Sequence, residues 1–506
     1  MRMINRMAVL AIGFGLFSLT AVGQDAKKPD APKDAKRAEP PKDPKKQITA
    51  VVGADIYTVT RGVVRGGVVL VQDGKIIQVG QDVPIPDGAT RIDAAGKVVA
   101  PGFIAVSATG VAVRGGGQGG GGGGPGGGGQ QQQGRLADSL NPFDRNIQLC
   151  LAAGITTACV ETSGGGGGRF GRDSDEEFWL DPADPNRTNV CPCCGMAIAP
   201  TEPIGPQAPT ERTARRSAVL KMTFGDVTKM VVKEAPFYHL PAGSFAGAMN
   251  RHQWRETIKR AKQQIKDQAS ADAAADAGMD FPAGGPGGGG PGGGAGRRPI
   301  TDEVLKLVEK KIPLRTDAYS AEQMRDAIAL AKELDYNLIL DGVHEAWLIP
   351  GELSAAKVQV VLTPRSRRRP QPGKEDSSGS SIETSAYLEK AGVPFAVVPV
   401  GEGRSGGTAV SLDGLPGRDL TSLPLEAAFA VRGGCTEQTA LEALTINAAR
   451  MLGLGDRLGS IEVGKDADFL ILDGPPLDYR TYVKQAYING KLCYDRQREG
   501  IFPERK

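Results

Sequence analysis

The sequence has almost no excess of charge of either sign. Its 61 basic and 58 acidic side chains leave a formal net charge of +3. Such a balance does not favour nucleic acid or an anionic membrane surface as a partner. Beyond the N-terminal segment, the sequence also lacks any apolar run long enough to cross a bilayer. We therefore expect no nucleic-acid partner, and no membrane association once that segment is removed.

The N-terminal segment has the pattern of a secretion signal. Arg2 and Arg6 precede an uncharged, mostly apolar run at 7–22, which ends in a small-x-small pattern. The pattern predicts a signal peptide over 1–23 and an exported protein, periplasmic or extracellular. An uncleaved membrane anchor is the alternative. Residues 24–47 are rich in Lys, Asp and Pro and have little to bury, which predicts a disordered linker.

Seven cysteines are an odd number for an exported chain, so at least one must be free, metal-bound or paired outside the chain. Cys191, Cys193 and Cys194 lie close together in VCPCCGMAIAP, which resembles the soft-metal CPxCGM segment of copper-handling accessory proteins. Thiolates at CxxC spacing bind Cu(I) or supply half of a tetrahedral zinc site. A disulfide or an ordinary loop remains open there. The other four cysteines lie in apolar contexts, so we expect them to be buried and inert.

Glycine is abundant, with 70 residues, and it is concentrated in three inserts at 115–134, 164–168 and 284–296. Glycine at this density costs too much backbone entropy to order without strong contacts, so we expect mobile surface loops. A phosphate-binding loop would need a Lys or a helix start directly after it, and none of the inserts has one. The GxGxxG run at 401–406 precedes a turn-rich segment, which does not favour a dinucleotide site.

The remaining sequence predicts two kinds of structure. Short β-branched runs with Gly-containing turns fill 48–100 and 455–500, and the segment VQDGKI is typical of a β-hairpin. Between 101 and 454, apolar runs such as GITTACVET and NLILDG alternate with helical patterns, which is typical of parallel βαβ units. Ser320 is predicted to cap one of the helices. A single amphipathic helix is predicted over 436–451.

Several segments carry a family resemblance. GKIIQVG and IDAAGKVVAPGFI near the start, LAAGITTACVE in the middle, and SIEVGKDADFLIL and VKQAYINGKLCYD near the end resemble amidohydrolases of the imidazolonepropionase-like kind. The resemblance covers most of the chain from Ile48 to Asp495 apart from the inserts. It implies an α/β fold with a (β/α)8 TIM-type barrel over 101–454. It also implies a composite β-sandwich domain that both chain ends form, from 48–100 and 455–500.

The resemblance also implies a chemistry. Amidohydrolases use one or two divalent metal ions, such as zinc, to hydrolyse C–N bonds other than peptide bonds, at the C-terminal ends of the barrel strands. The family ligands are an HxH pair on the first strand, a bridging Lys or similar group, two single histidines, and an aspartate that also serves as general base.

This sequence departs from the ligand pattern at its first and last positions. Ser107 and Thr109 stand where the HxH pair belongs, and hydroxyls are weak ligands for zinc. His239 aligns with the bridging group. Val400 stands where the catalytic aspartate belongs, and Val neither binds a metal nor moves a proton.

The two single histidines are also replaced. Asp317 stands at one of these positions, with Tyr319 just beyond it. Gly342 stands at the other, with Asp341 and His344 close by. We take Ser107, Thr109, Tyr319 and Asp341 as candidate substrate-binding residues, and His239, Asp317 and His344 as vestigial catalytic candidates.

A count of histidines supports a lost metal centre. The family site needs four, and the whole chain has three, namely His239, His252 and His344, with none in HxH spacing. The sequence therefore predicts a degenerate amidohydrolase without a confident cofactor, which binds a small molecule or acts as a scaffold, as a homo-oligomer or beside a related barrel subunit. An active hydrolase with a remodelled mononuclear or metal-free site is one alternative. A soft-metal-handling protein that uses the cysteine cluster is another, and polar residues left over at a solvated barrel opening remain open.

Overall fold

The computed structural model describes one compact unit of the chain, within residues 46–506. The described ranges are 47–112, 140–161, 217–240, 244–245, 247–276, 300–399 and 419–499. Several predictions lie outside them: the signal peptide, nearly all of the linker, the three glycine-rich inserts, the GxGxxG run, Val400, Cys191, Cys193 and Cys194. Within the described ranges, no helix is long and apolar enough to cross a membrane.

The described residues form seventeen β-strands and ten α-helices. The strands are β1 (Ile48–Tyr57), β2 (Val63–Gln72), β3 (Lys75–Gly80), β4 (Thr90–Asp93), β5 (Val98–Pro101), β6 (Phe103–Ala108), β7 (Ile155–Glu161), β8 (Ser217–Lys221), β9 (Val231–Glu234), β10 (Tyr238–Leu240), β11 (Leu314–Asp317), β12 (Leu338–Asp341), β13 (Gln359–Leu362), β14 (Phe395–Val397), β15 (Phe469–Leu472), β16 (Val483–Ile488) and β17 (Lys491–Asp495). The α-helices are α1 (Arg145–Ala152), α2 (Gly247–Asp276), α3 (Asp302–Val308), α4 (Ala321–Leu334), α5 (Pro350–Ala355), α6 (Thr384–Lys390), α7 (Leu423–Arg432), α8 (Glu437–Leu444), α9 (Ile446–Met451) and α10 (Arg496–Glu499). Short 3-10 turns lie at Val227–Lys229, Ala346–Leu348, Glu375–Ser377 and Leu420–Ser422.

One sheet takes strands from both ends of the described chain. Its order is β17-β16-β15-β5-β1-β2-β3, and β4 also pairs with β1. The predicted hairpin in VQDGKI is confirmed, since β2 and β3 are antiparallel with Gln72 opposite Lys75. Asp73 and Gly74 between them have φ values of 52° and 78°. Two consecutive positive φ angles match the twist of the flanking strands, which is why Asp-Gly favours this turn.

Two further sheets form the centre of the unit. One is parallel throughout, in the order β10-β11-β12-β13-β14. The other has the order β6-β7-β8-β9, with β6 and β7 parallel but β8 and β9 antiparallel to their neighbours. Both are strongly apolar, as in strands covered on both faces. Over the described residues, backbone pairing does not join the two sheets into one eight-stranded ladder.

The predicted cap of α4 is confirmed. Ser320 accepts a hydrogen bond from the backbone N–H of Gln323, and the Gln323 side chain accepts from the Ser320 N–H, which completes a capping box. The face that α4 buries includes Met324 and Leu330. Leu334, the last residue of α4, is only half-buried.

The prediction of a single helix over 436–451 is wrong. The segment forms α8 and α9, and Thr445 breaks them with φ −128° and ψ −92°. Its hydroxyl donates to the carbonyl of Leu441 at 2.6 Å, so the side chain competes for a helical acceptor. Gly459 packs its backbone directly against Ile446, where even a Cβ atom would come within 2.7 Å. Because this contact is tertiary, the helical periodicity of the sequence does not indicate where the helix breaks.

A buried lysine links the central sheets to the C-terminal part of the chain. Lys221, at the end of β8, is 1% exposed. Its ammonium donates to Asp466 at 2.9 Å, to Asp468 at 3.0 Å, and to the side chain of Asn489. Both aspartates belong to the segment GKDADFLIL, which continues into β15. The acidic residues of that segment therefore hold the eight-stranded sheet against β8.

The two aspartates differ in their charge environment. Burial alone would raise the pKa of Asp466, but hydrogen bonds from Lys75 and Lys221 lower it to about 2. Arg457 also donates to Asp466, at 2.9 Å. At Asp468, burial outweighs the attraction of Lys221 and raises the pKa. Asp468 is therefore the carboxylate whose ionisation depends most on the lysine.

The described cysteines are free and largely buried. Cys150, Cys159 and Cys435 are buried, as predicted. Cys493 is only half-buried, so the prediction of full burial is wrong there, because β17 lies at the edge of its sheet. Burial raises the pKa of the Cys435 thiol to about 11, which keeps it protonated and unreactive at neutral pH.

Candidate active site

Glu161 lies at the centre of a buried group of charged residues. It is the last residue of β7 and is 4% exposed. Its Oε1 accepts hydrogen bonds from Ser107 Oγ at 3.2 Å and from Arg315 Nη1 at 3.1 Å. Its Oε2 lies 2.8 Å from Nδ1 of His239. The ends of β6, β7, β10 and β11 thus bring residues that are distant in sequence around one carboxylate.

All three nitrogen atoms of the Arg315 guanidinium donate hydrogen bonds within this group. Arg315 lies in β11 and is 2% exposed. Besides Glu161, its guanidinium donates to the carbonyl of Val106 at 2.8 Å and to Asp341 Oδ2, with Nε at 3.1 Å and Nη2 closer. The ring of Phe237 lies beneath it, 4.9 Å from the guanidinium carbon. Burial opposes its charge, but Asp341 and Glu161 outweigh burial and raise the pKa of Arg315, so it remains a cation.

His239 lies in β10, and only one of its two ring nitrogens has a described hydrogen-bond partner. Its Nδ1 pairs with Glu161, and its Nε2 lies 3.9 Å from Asp317 Oδ1, beyond hydrogen-bond distance. Nε2 is buried and has no hydrogen-bond partner in the described part of the chain. Burial would lower the pKa of His239, but the negative charges of Glu161 and Asp317 raise it to about 9. At neutral pH the ring is therefore an imidazolium whose Nε2 carries a proton.

These residues form one unit, which we call the ionic network: Ser107, Glu161, His239, Arg315, Asp317 and Asp341. It contains three carboxylates and two cations, so most of its charge is balanced internally. Glu161, His239 and Arg315 are at most 4% exposed. The alternative of polar residues left over at a solvated opening therefore does not describe His239, because buried charges persist only when they are paired.

A second cluster lies beside the network, where β12 ends. Gly342 has φ +66°, and a Cβ atom there would lie 2.5 Å from Cε1 of Tyr319. The Tyr319 ring in turn stacks on His344, with ring centroids 5.7 Å apart. The position therefore favours glycine, because a side chain there, including the histidine of the family pattern, would be strained by the positive φ and would have to displace Tyr319.

A narrow cleft adjoins this aromatic stack. It lies at the ends of β12 and β13, and hydroxyl groups dominate its polar lining. The polar residues that line it are His344, Thr363, Ser366, Ser380, Ser381 and Thr384. The arrangement offers several neutral hydrogen-bond donors and acceptors near the surface, in contrast to the buried charges of the network.

Comparison with known proteins identifies the family. The profile of the Amidohydrolase family matches residues 403–493. Imidazolonepropionase of Syntrophobacter fumaroxidans is 52% identical over 68 residues, which cover 13% of this chain and 16% of that protein. N-acetylglucosamine-6-phosphate deacetylase of Rattus norvegicus is 37% identical over 68 residues, which cover 13% of this chain and 15% of that protein. A solved amidohydrolase from Thermotoga maritima superposes with a TM-score of 0.59 at 25% identity, over 88% of this chain and 100% of that one.

These likenesses support the amidohydrolase superfamily as the family of this chain. Its fold is accordingly a mixed α/β fold of the TIM-barrel superfamily. The alignments with the two curated relatives span only 16% and 15% of their lengths. They support membership of the superfamily and leave the activity of this member to be argued from its own residues.

The residues of this chain do not fit the divalent metal that the family implies. Ser107, at a position of the HxH pair, donates its hydroxyl to Glu161. The guanidinium of Arg315 lies between Glu161 and Asp341, and a cation already bound to both opposes a metal ion on them. Across the described ranges, no three His, Cys, Asp or Glu side chains are arranged to hold a metal ion.

Most of the candidate residues come together as the family alignment suggests. Ser107, His239, Asp317 and Asp341 are all in the ionic network. Tyr319 and His344 stack on each other beside it. Thr109 is half-buried just beyond β6, and the described contacts of the network do not include it. His252, the third histidine of the chain, is exposed on α2 and lies outside the network.

Sequence reasoning missed the two residues that hold the network together, Glu161 and Arg315. Neither occupies a family ligand position, so the alignment gave no reason to single them out. A signal was nevertheless present, because each is a charged residue in an otherwise buried strand, in ITTACVE and in LRTD. A charge in such a strand requires a buried partner.

Proposed function

We propose that this chain is an exported amidohydrolase-fold protein that binds a small molecule and no longer hydrolyses C–N bonds with a metal ion. The observation that carries the proposal is the Arg315 guanidinium, which is bound to Glu161 and Asp341 where the strand ends converge. We also propose that the two central sheets belong to a (β/α)8 barrel, and that the eight-stranded sheet belongs to the composite β-sandwich that both chain ends form in the family.

The chemistry of the remaining groups supports this proposal. A metal-assisted hydrolase needs open coordination positions and a base that can accept a proton from bound water. Here Ser107 and Gly342 supply no metal ligand, and the imidazolium of His239 cannot accept a proton at neutral pH. The narrow cleft beside His344 presents hydroxyl groups as neutral hydrogen-bond donors and acceptors for a small polar group.

The proposal is tested on the purified mature protein. Metal content is measured by mass spectrometry, and hydrolysis of a broad amide and lactam panel is measured with and without a chelator. The proposal expects no stoichiometric metal outside the cysteine cluster, and no chelator-sensitive hydrolysis. Stoichiometric zinc that is lost in His239→Gln or Asp317→Asn would overturn it. Metal lost only in Cys191→Ser would instead support soft-metal handling by the cysteine cluster.

One observation favours a second candidate, a hydrolase that uses acid/base chemistry without metal. Glu161 fixes one ring nitrogen of His239, and the other carries a proton 3.9 Å from Asp317. This arrangement could donate a proton to a leaving group while the carboxylate accepts one from water. The candidate predicts chelator-resistant hydrolysis that His239→Gln and Asp317→Asn abolish and that the exposed-site variant His252→Gln retains.

A further inference from the structure

Three oxygen atoms from three parts of the chain converge on one buried guanidinium. Glu161 Oε1 lies 3.1 Å and the Val106 carbonyl 2.8 Å from Nη1 of Arg315. Asp341 Oδ2 lies 3.1 Å from Nε and also accepts from Nη2. Two of the three oxygens belong to carboxylates at the ends of different strands, β7 and β12.

Such an arrangement requires a cation at its centre. Two carboxylates that bind the same group repel each other, and the buried Glu161 also loses the hydration it would have in water, while Asp341 is half-buried. A divalent metal ion or a guanidinium can neutralise both, and the guanidinium does so with a fixed fork of donors. Arg315 therefore performs electrostatically what a metal ion performs when carboxylates meet at the end of a barrel.

We propose that Arg315 is an internal counter-ion that takes the place of a divalent cation, and that its oxygen shell becomes a cation site when the side chain is removed. The inference rests on the proposed function in one respect, since it assumes that the native chain holds no metal at this position. It goes beyond that function by assigning the loss of metal to a specific residue and by predicting that the loss is reversible.

The oxygen shell determines which cation should bind. Two carboxylates and a backbone carbonyl are hard donors, which suit Mn²⁺, Mg²⁺ and Ca²⁺ better than Cu(I). His239 Nδ1 lies 2.8 Å from the other oxygen of Glu161. We therefore choose Mn²⁺ as the probe, because its binding is read directly from its electron paramagnetic resonance signal.

The chain offers a matched control. Arg365 donates to Glu426, which is fully buried, at 2.7 Å, and its guanidinium lies 5.4 Å from the ring of Phe429. This pair repeats the arginine, glutamate and aromatic ring of the network around a half-buried arginine and a buried glutamate. Arg365→Ala therefore removes a comparable side chain from a buried glutamate outside the network, and we expect no gain in Mn²⁺ binding from it.

The experiment titrates Mn²⁺ into the full mature chain, the Arg315→Ala variant and the Arg365→Ala variant. Arg315→Ala should bind one Mn²⁺ per chain, with a half-saturating concentration about tenfold or more below that of either other protein. Its melting temperature should rise with Mn²⁺, because a ligand that binds only the folded state stabilises it. Adding Glu161→Gln to Arg315→Ala should remove the gain, and Arg315→Lys, which keeps the charge, should not show it.

Three outcomes would overturn the inference. In the first, Arg315→Ala folds but binds no more Mn²⁺ than the unaltered chain. In the second, Arg365→Ala gains as much Mn²⁺ binding as Arg315→Ala, and in the third, Arg315→Ala remains unfolded in millimolar Mn²⁺, which should replace the lost charge. A different result would overturn the proposed function instead: tight Mn²⁺ or Zn²⁺ on the unaltered chain that Asp341→Asn removes. The two failures are therefore distinguishable.

Discussion

The protonated state of His239 makes the stability of the protein depend on pH in a calculable way. Its folded-state pKa of about 9 lies above the ordinary value of 6.5. The network therefore contributes stability in full below the unfolded-state pKa, and loses it as pH rises through the folded-state pKa. We expect the free energy of unfolding to fall between about pH 6.5 and about pH 9.

The size of the loss follows from the two pKa values. A difference of about 2.5 units at about 1.4 kcal/mol per unit corresponds to about 3 kcal/mol. The ring is 3% exposed, so solvent screens little of this contribution. A loss of that size is a large fraction of the stability of an ordinary domain.

Two measurements test this prediction. Urea unfolding at a series of pH values should show the decline in the unaltered chain and not in His239→Gln. His252→Gln, at an exposed position on α2, should retain it. Nuclear magnetic resonance of ¹³C-labelled histidine gives the titration directly, since the chain has only three histidines to assign. A folded-state pKa below 6.5 for His239, or the same pH profile in His239→Gln, would refute the reasoning.

Two further substitutions test the packing around these charges. Lys221→Met leaves two buried aspartates without their shared ammonium and should lower the free energy of unfolding by about 3–5 kcal/mol, whereas Lys75→Met, at a half-exposed lysine, should cost at most about 1 kcal/mol in the same urea titration. Equal losses would contradict the assignment of Lys221 as the central partner. Gly342→Ala should cost about 1–2 kcal/mol for its positive φ and about 1–3 kcal/mol more for overlap with Tyr319. Gly62→Ala has a similar φ of +80° in open space and should cost only the first part, so identical melting temperatures for the two variants would exclude the clash.

Local features of the fold could be predicted because local chemistry determines them. The Asp73-Gly74 turn follows from two residues that tolerate positive φ between β-branched runs. The start of α4 follows from Ser320 and Gln323, three residues apart. Thr445 could not be identified as a helix break, because the contact that accompanies it comes from Gly459, which is distant in the sequence. The antiparallel pairing of β8 has no local signal either.

The candidate site was predictable in part for a related reason. Family alignment located Ser107, His239, Asp317 and Asp341, because the ends of parallel strands converge whatever side chains they carry. It did not predict what these residues do there. Glu161 and Arg315 are 154 residues apart, and their pairing depends on the register of strands in two different sheets. Sequence periodicity within one strand carries no information about such a pair.

The position of the family likeness explains how membership and activity can separate in this chain. The matched segment, 403–493, contains Asp466 and Asp468, and these bind Lys221 and hold the eight-stranded sheet to the central ones. The fold requires these two aspartates, because removing any one residue of the buried Lys221 cluster leaves charges without their partner and lowers the stability. The ionic network lies in other strands, where Arg315 supplies the positive charge that the carboxylates need. A sequence match in this segment therefore reflects what the fold requires, and it is independent of whether the strand ends hold a metal.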